Sequence, residues 1–167
     1  MWVLRHAKAG AHGPDDHGRR LTARGTRQAT EVGSYLARAP LAGFPVPALV
    51  LCSSARRAVQ TAELVMAQLV TPVELAVERR LYSADVDDVV EIVRDESGDV
   101  ASVLVVGHNP TLQELALELL ERDDDGRARI EQGFPTAALA VVAVPVASWA
   151  RLTLGTGTLI DLHIPGH

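Results

Sequence analysis

The chain has 167 residues, 47% of them hydrophobic and 22% charged, with a formal net charge of −5 at pH 7. That is the size and composition of one globular domain, residues 1–167, and it excludes a disordered chain. The acidic balance argues against broad nucleic-acid binding, the single cysteine excludes an intramolecular disulfide and fits a reducing compartment, and no apolar run reaches the roughly 18 residues of a membrane span. Without the pattern of a signal peptide, the expected location is the cytoplasm.

Strand and helix signals alternate along the sequence. Trp2-Val3-Leu4 is an apolar run long enough for one central strand, and it stops at Arg5-His6 followed by small residues. Gly10 to Arg20, rich in Gly, His and Asp, reads as a loop. Thr22 is placed to cap a helix in which Ala29, Val32, Gly33 and Leu36 recur at helical spacing. Pro40, Pro45 and Pro47 punctuate the connection to a second buried strand, Ala48 to Cys52. Ser53-Ser54 then offer caps for a helix from about Ala55 to Leu69 that turns Ala58, Ala62, Val65 and Leu69 inward. Val73 to Val77 is a third strand. Leu81 to Glu96 begins as a loop and becomes an amphipathic helix with Val86, Val89, Val90 and Val93 on one side.

Ser102 to Val106 is as apolar as a strand buried on both faces should be, and it ends in Gly107-His108-Asn109-Pro110. There Asn109 is suited to cap, and Pro110 to begin, a helix carrying Leu112, Leu115, Ala116 and Leu119. Asp123-Asp124-Asp125, within Glu121 to Arg129, reads as a solvated loop rather than a metal site. Two strands close the chain, near Ala137 to Val144 and Arg151 to Leu162. The alternation predicts an α/β fold, a three-layer α/β/α sandwich around a mostly parallel central sheet.

Three predicted strand ends carry unusual polar residues: Arg5-His6, Ser53 through Ala58, and Gly107-His108. In a parallel sheet these ends share one edge, where open α/β sheets bind ligands. Two histidines and several arginines gathered there in an acidic chain suggest a pocket for a small dianion, most simply phosphate. A helix starting near Ser54 adds free amides and a dipole of ~0.5 charge. Other residues have plainer readings. Cys52 fits a buried strand end better than a reactive thiolate. His12 and His17 either frame the pocket mouth or are ordinary loop histidines, and His163 and His167 are expected to be exposed. Tyr82 and Trp149 read as core or rim packing. No histidine pair has zinc-ligand spacing with a third partner.

The chain resembles the histidine phosphatase superfamily, of phosphoglycerate mutase-like fold, and within it the SixA-type protein-phosphohistidine phosphatases. The resemblance rests on Leu4-Arg5-His6-Ala7, Asp16-His17-Gly18-Arg19-Arg20-Leu21-Thr22, Ser53 with Arg57-Ala58-Val59-Gln60-Thr61-Ala62, Leu81-Tyr82, Val106-Gly107-His108-Asn109-Pro110, and Phe134-Pro135-Thr136 with Trp149. These pieces run in family order across nearly the whole chain. The resemblance implies that His6 is a nucleophile that becomes phosphorylated, that Arg5, Arg57 and His108 hold the phosphoryl oxygens, and that Arg19 adds a contact from the loop. Arg57 is preferred to Arg56, because Ala58 and Thr61-Ala62 follow it in the family's spacing, and Arg19 is preferred to Arg20.

The implied reaction needs neither metal nor other cofactor. Its favoured substrate is a phosphohistidine on a partner protein; the alternatives are a broad small-molecule phosphomonoesterase and a non-catalytic phosphate-binding module. Glu78, Asp85, Asp87 and Asp88 lie where other branches carry a general acid, and each also fits a solvated face. A phosphoramidate needs such an acid less than an ester does, because its leaving nitrogen is readily protonated. The short stretch between the third and fourth strands leaves room for one helix and no lid, which suits a histidine displayed on another protein.

Overall fold

Alternate side chains of the central strands belong to two different cores, one on each face of the sheet. The computed structural model describes residues 1–11, 14–38 and 43–166; His12, Pro40 and His167 lie outside them. Six strands, β1 (Trp2–Arg5), β2 (Leu49–Ser53), β3 (Glu74–Glu78), β4 (Val103–Gly107), β5 (Leu139–Ala143) and β6 (Thr158–His163), form one sheet in the order β3-β2-β4-β1-β5-β6. β3, β2, β4 and β1 are parallel, while β5 and β6 run antiparallel to their neighbours.

Trp2, Leu4, Val50, Cys52, Leu104 and Val106 face helices α1 (Ala23–Leu36) and α2 (Arg56–Met66). Val3, Leu49, Leu51, Val103 and Val105 face α3 (Val86–Glu96), α4 (Thr111–Leu119) and the short α5 (Arg127–Glu131). The result is the expected three-layer α/β/α arrangement. It explains why β1, β2 and β4 read as unbroken apolar runs: strands covered on both faces have no polar side to show. Among the described residues no helix is long and apolar enough to cross a membrane.

Helix starts follow local chemistry where the side chain is available for it. Thr22 caps α1, its hydroxyl accepting from the Gly25 amide at 3.1 Å. Asp85 and Asp88 form a reciprocal capping box at the start of α3. The fourth strand's exit differs from expectation: Asn109 does not cap α4, and its amide nitrogen donates to the Phe134 carbonyl (3.0 Å) and to Gln113 Oε1 (3.2 Å). Pro110 sits one place before the helix, which starts at Thr111.

The acidic run also differs from a plain solvated loop. Asp123 and Asp125 are exposed, but Asp124 accepts from the amides of Gly126 (2.7 Å) and Leu159 (3.1 Å), tying the segment to β6, and α5 follows it. Between Leu152 and Thr158 the chain is not strand but loop after a 3₁₀ turn at Trp149–Arg151. His163 is not exposed; its ring stacks on Tyr35 at 4.3 Å between centroids.

α1 and α2 pack closely at Gly33, where a Cβ would lie 2.6 Å from the Val65 carbonyl oxygen. Gly33→Ala adds about 1 kcal/mol of helix propensity but forces that backbone apart, an overpacking cost of about 1–3 kcal/mol. The clash involves backbone and is expected to win, lowering the melting temperature by about 2–6 °C in a thermal scan.

Candidate active site

Backbone contacts on three sides fix the chain where it leaves β1. The His6 amide donates to the Gly107 carbonyl at the end of β4 (2.9 Å), and the Ala137 amide donates to the carbonyls of Arg5 and His6 (3.2 Å each). The Ala7 amide donates to Thr61 Oγ1 on α2 at 3.0 Å, and the Lys8 amide to Gln28 Oε1 on α1 at 3.1 Å. His6 is thus held between the helical layer of α1 and α2 and the neighbouring strands.

The partners of its ring determine its chemistry. Nδ1 lies 2.8 Å from the Ala7 carbonyl oxygen. A carbonyl only accepts, so Nδ1 carries the proton and Nε2 is left with a bare lone pair. Arg57 Nε donates to that lone pair at 3.3 Å. Arg57 Nη2 also lies 3.3 Å from His108 Nδ1. Because a guanidinium only donates, His108 Nδ1 is the acceptor, and its Nε2–H donates to Ser53 Oγ at 2.8 Å. One chain of hydrogen bonds therefore runs from the Ala7 carbonyl through His6, Arg57 and His108 to Ser53, joining the ends of β1, β2 and β4. The two imidazole centroids are 5.2 Å apart.

Both histidines are held neutral. Burial lowers the pKa of His6 to about 4, the Ala7 hydrogen bond opposes this, and the charges of Arg57, Arg5 and Arg19 lower it further. Burial likewise lowers His108 to about 3, helped by His6 and Arg57. Arg57 is itself 5% exposed, whereas Arg56 is exposed. Arg5 is half-buried and donates through Nη1 to the Phe134 carbonyl (2.9 Å). Its pKa is pulled down by burial.

The loop closes the cluster through Asp16. Its Oδ2 accepts from Arg57 Nη2 (3.1 Å) and from the Tyr82 hydroxyl (2.9 Å), and its Oδ1 pairs with Arg19 Nε (3.0 Å). Its main-chain oxygen accepts from Arg57 Nη1 at 2.7 Å. The Tyr82 hydrogen bond, then the two arginines, hold the carboxyl down at about 2, although partial burial opposes them. Arg19 Nη1 donates to the Gly10 carbonyl (2.9 Å), while Arg20 is exposed. His17 Nε2 is 3.0 Å from Ser54 Oγ, and its ring meets the edge of Tyr82, so His17 and Tyr82 both sit at the rim.

Arg5, His6, Arg19, Arg57 and His108 are thus gathered in one place. The candidate general acids are engaged elsewhere: Asp85 and Asp88 in the α3 capping box, Asp87 on an exposed face of α3, and Glu78 with Arg80, whose amide and guanidinium hold its carboxyl below the usual range. Cys52 is buried and its thiol is pushed up to about 12, the state of an inert side chain. Among the described residues no group of three or more His, Cys, Asp or Glu is arranged to hold a metal ion. Sequence reasoning passed over Asp16, Ser53 and Thr61 as individual contributors. Their signal was present only as membership in the quoted motifs, because each acts through a partner more than 40 positions or a whole element away.

Residues 1–89 match the model of the histidine phosphatase superfamily, branch 1. The uncharacterized protein ML1117 of Mycobacterium leprae is 37% identical over 169 residues, covering 97% of this chain and 99% of that one. Among solved structures, a Nakamurella multipartitia protein assigned as a phosphohistidine phosphatase SixA is 27% identical with a TM-score of 0.83, over 99% of this chain and 95% of that one. The protein histidine phosphatase SixA complexed with tungstate is 28% identical with a TM-score of 0.72, over 97% and 96%.

The neutral rings have a direct solution signature. In a histidine-selective NMR titration, His6 and His108 should show midpoints below pH 5, well under the ordinary 6.5 of a free imidazole. Arg57→Ala, which removes a cation from both rings, should move the His6 midpoint upward.

Proposed function

The chain belongs to the histidine phosphatase superfamily, and on that premise we propose that it is a phosphatase working through phospho-His6, with phosphohistidine on a partner protein as its substrate. The observation that carries this reading is the bare Nε2 of a neutral His6 facing Arg57. An imidazole attacks phosphorus only through an unprotonated nitrogen, and the cluster keeps that nitrogen unprotonated across the physiological range.

In the first half-reaction Nε2 of His6 bonds to phosphorus while the bond to the substrate's imidazole nitrogen breaks, and that nitrogen takes a proton from solvent. Arg5, Arg19 and Arg57 carry the charge on the three equatorial oxygens, and His108 joins them as a donor when its Nε2–H turns from Ser53 to the phosphoryl group. In the second, water attacks phosphorus, the bond to Nε2 breaks, and inorganic phosphate leaves as His6 returns to its neutral form. The charge on the transferring group is met by side chains, so the reading assigns no metal or cofactor.

Two features support phosphohistidine over an alkyl ester. Asp16, the carboxylate joined to Arg57 and Arg19, is ionised down to about pH 2 and has no proton to give a leaving alkoxide. Between β3 and β4 the chain forms only a 3₁₀ turn (Arg79–Tyr82) and α3, leaving the site without a lid. A cleft of about 510 Å³ beside Arg5, lined by Asn109, Gln113 and Phe134, gives a displayed side chain room to approach. The solved SixA relatives are described by the same activity.

The test is release of phosphate from a phosphohistidine-bearing protein, in chelator, beside a panel of small phosphomonoesters. The wild type should turn over the protein substrate, His6→Ala should not, and Arg57→Ala should lose about 10²–10³ in kcat/KM, as for loss of one preorganised donor. Turnover confined to the small esters would discard the protein substrate, and phosphate binding with no turnover would favour a binding module.

A further inference from the structure

Each nitrogen of Arg57 has an acceptor. Nε is on the His6 lone pair, Nη1 on the Asp16 main-chain oxygen, and Nη2 on Asp16 Oδ2 and on His108 Nδ1. The lone pair that must receive phosphorus, and the cation that must receive its oxygens, are therefore bonded to each other. Nε2 of His6 can bond to phosphorus only if Arg57 Nε leaves it, so phosphoryl transfer requires Arg57 to change partners.

The group that holds Arg57 in this state is Asp16. Its carboxylate takes Arg57 on one oxygen and Arg19 on the other, with the Tyr82 hydroxyl beside them. Two arginines on two oxygens of one anion is how an oxyanion would be bound at this place. The side chain has a way out, because 37% of its surface is exposed, whereas that of Arg57 is 7% exposed. If one partner gives way, it is the carboxylate.

We infer that Asp16 is an internal counter-anion, a positioning residue that holds Arg57 and Arg19 aligned, yields them to an incoming phosphoryl group, and retakes them when phosphate leaves. The inference rests on the phosphatase reading above. It adds that the ligand competes with a carboxylate of the chain itself, so Asp16 weakens phosphate binding in the ground state and favours product release.

The sign of this effect separates it from simple scaffolding. In calorimetry with inorganic phosphate, Asp16→Asn should bind about tenfold more tightly than the wild type, the scale of one charge-assisted hydrogen bond no longer to be displaced. Weaker or unchanged binding would overturn the inference, since a residue that only aligns the arginines helps phosphate bind. A long-range field effect is separated by dimethyl phosphate, a monoanion, titrated in competition with phosphate. Displacement of a resident group tightens both ligands by the same factor, whereas removal of a distant charge tightens the dianion by roughly the square of the monoanion's factor, and that outcome would also overturn it. Tyr82→Phe, which keeps every charge but loosens Asp16, should tighten phosphate a few-fold, and it decides the matter if Asp16→Asn proves unfolded by circular dichroism. If neither wild type nor variants bind phosphate, the phosphatase reading falls with the inference; if wild type binds and the variants bind more weakly, only the inference falls.

Discussion

Much of the site follows from burying one guanidinium. Arginine keeps its proton at any ordinary pH, so placing Arg57 where it is 5% exposed obliges the fold to bring an acceptor to each of its nitrogens. Two of those acceptors are imidazole lone pairs, and that choice has chemical force. It leaves His6 and His108 no option but neutrality, fixes the tautomer of each, and turns the open nitrogen of His6 toward Arg57. The remaining acceptors, on Asp16, draw the loop before α1 down over the end of the sheet. The neutral imidazoles, the cluster of arginines and the closure of the loop are three aspects of solving one desolvation problem.

The sheet makes this solution available. Parallel pairing of β2, β4 and β1 brings Ser53, Gly107 and Arg5 to the same edge, and each strand is buried well enough on both faces to hold its end still. In a chain of net charge −5 the cations at this edge stand against the general field, so an anion meets attraction only close to the site.

The strands and their common edge were legible in the sequence because burial on both faces writes itself as unbroken apolar runs, and because Arg5-His6 and Gly107-His108 interrupt those runs abruptly. Helix α1 was legible for a similar reason, with Thr22 ahead of a regular apolar stripe. What stayed hidden depends on distant partners. Nothing around Asn109 announces that its amide nitrogen will donate to the distant Phe134 carbonyl, and nothing in a loop of glycine, histidine and aspartate marks Asp16 as the residue that meets Arg57. Asp124 hides within an acidic run because its acceptors' use lies in amides on the far side of a turn and on β6. His163 looked like a terminal, solvated residue until Tyr35, from α1, was brought against it. The choice of Arg57 over Arg56 came from family spacing; that Arg57 is buried and Arg56 exposed could be read from periodicity on α2 only once the inward face is known.

The strand order also bears on how the protein comes into being. β1 is made early, yet both of its neighbours, β4 and β5, are made late. A growing chain that has passed α2 holds His6 and Arg57 but has no Gly107 carbonyl to anchor the one and no His108 to occupy the other. His6 in that nascent chain is an ordinary solvated imidazole, with no reason to capture a phosphoryl group. Pairings this remote in sequence form slowly and together, because their loop-closure entropy must be met before any contact is rewarded. Reactivity therefore arrives with the completed sheet, and recovery of activity on refolding reports closure of the β1–β4 pair rather than the earlier gain of helix.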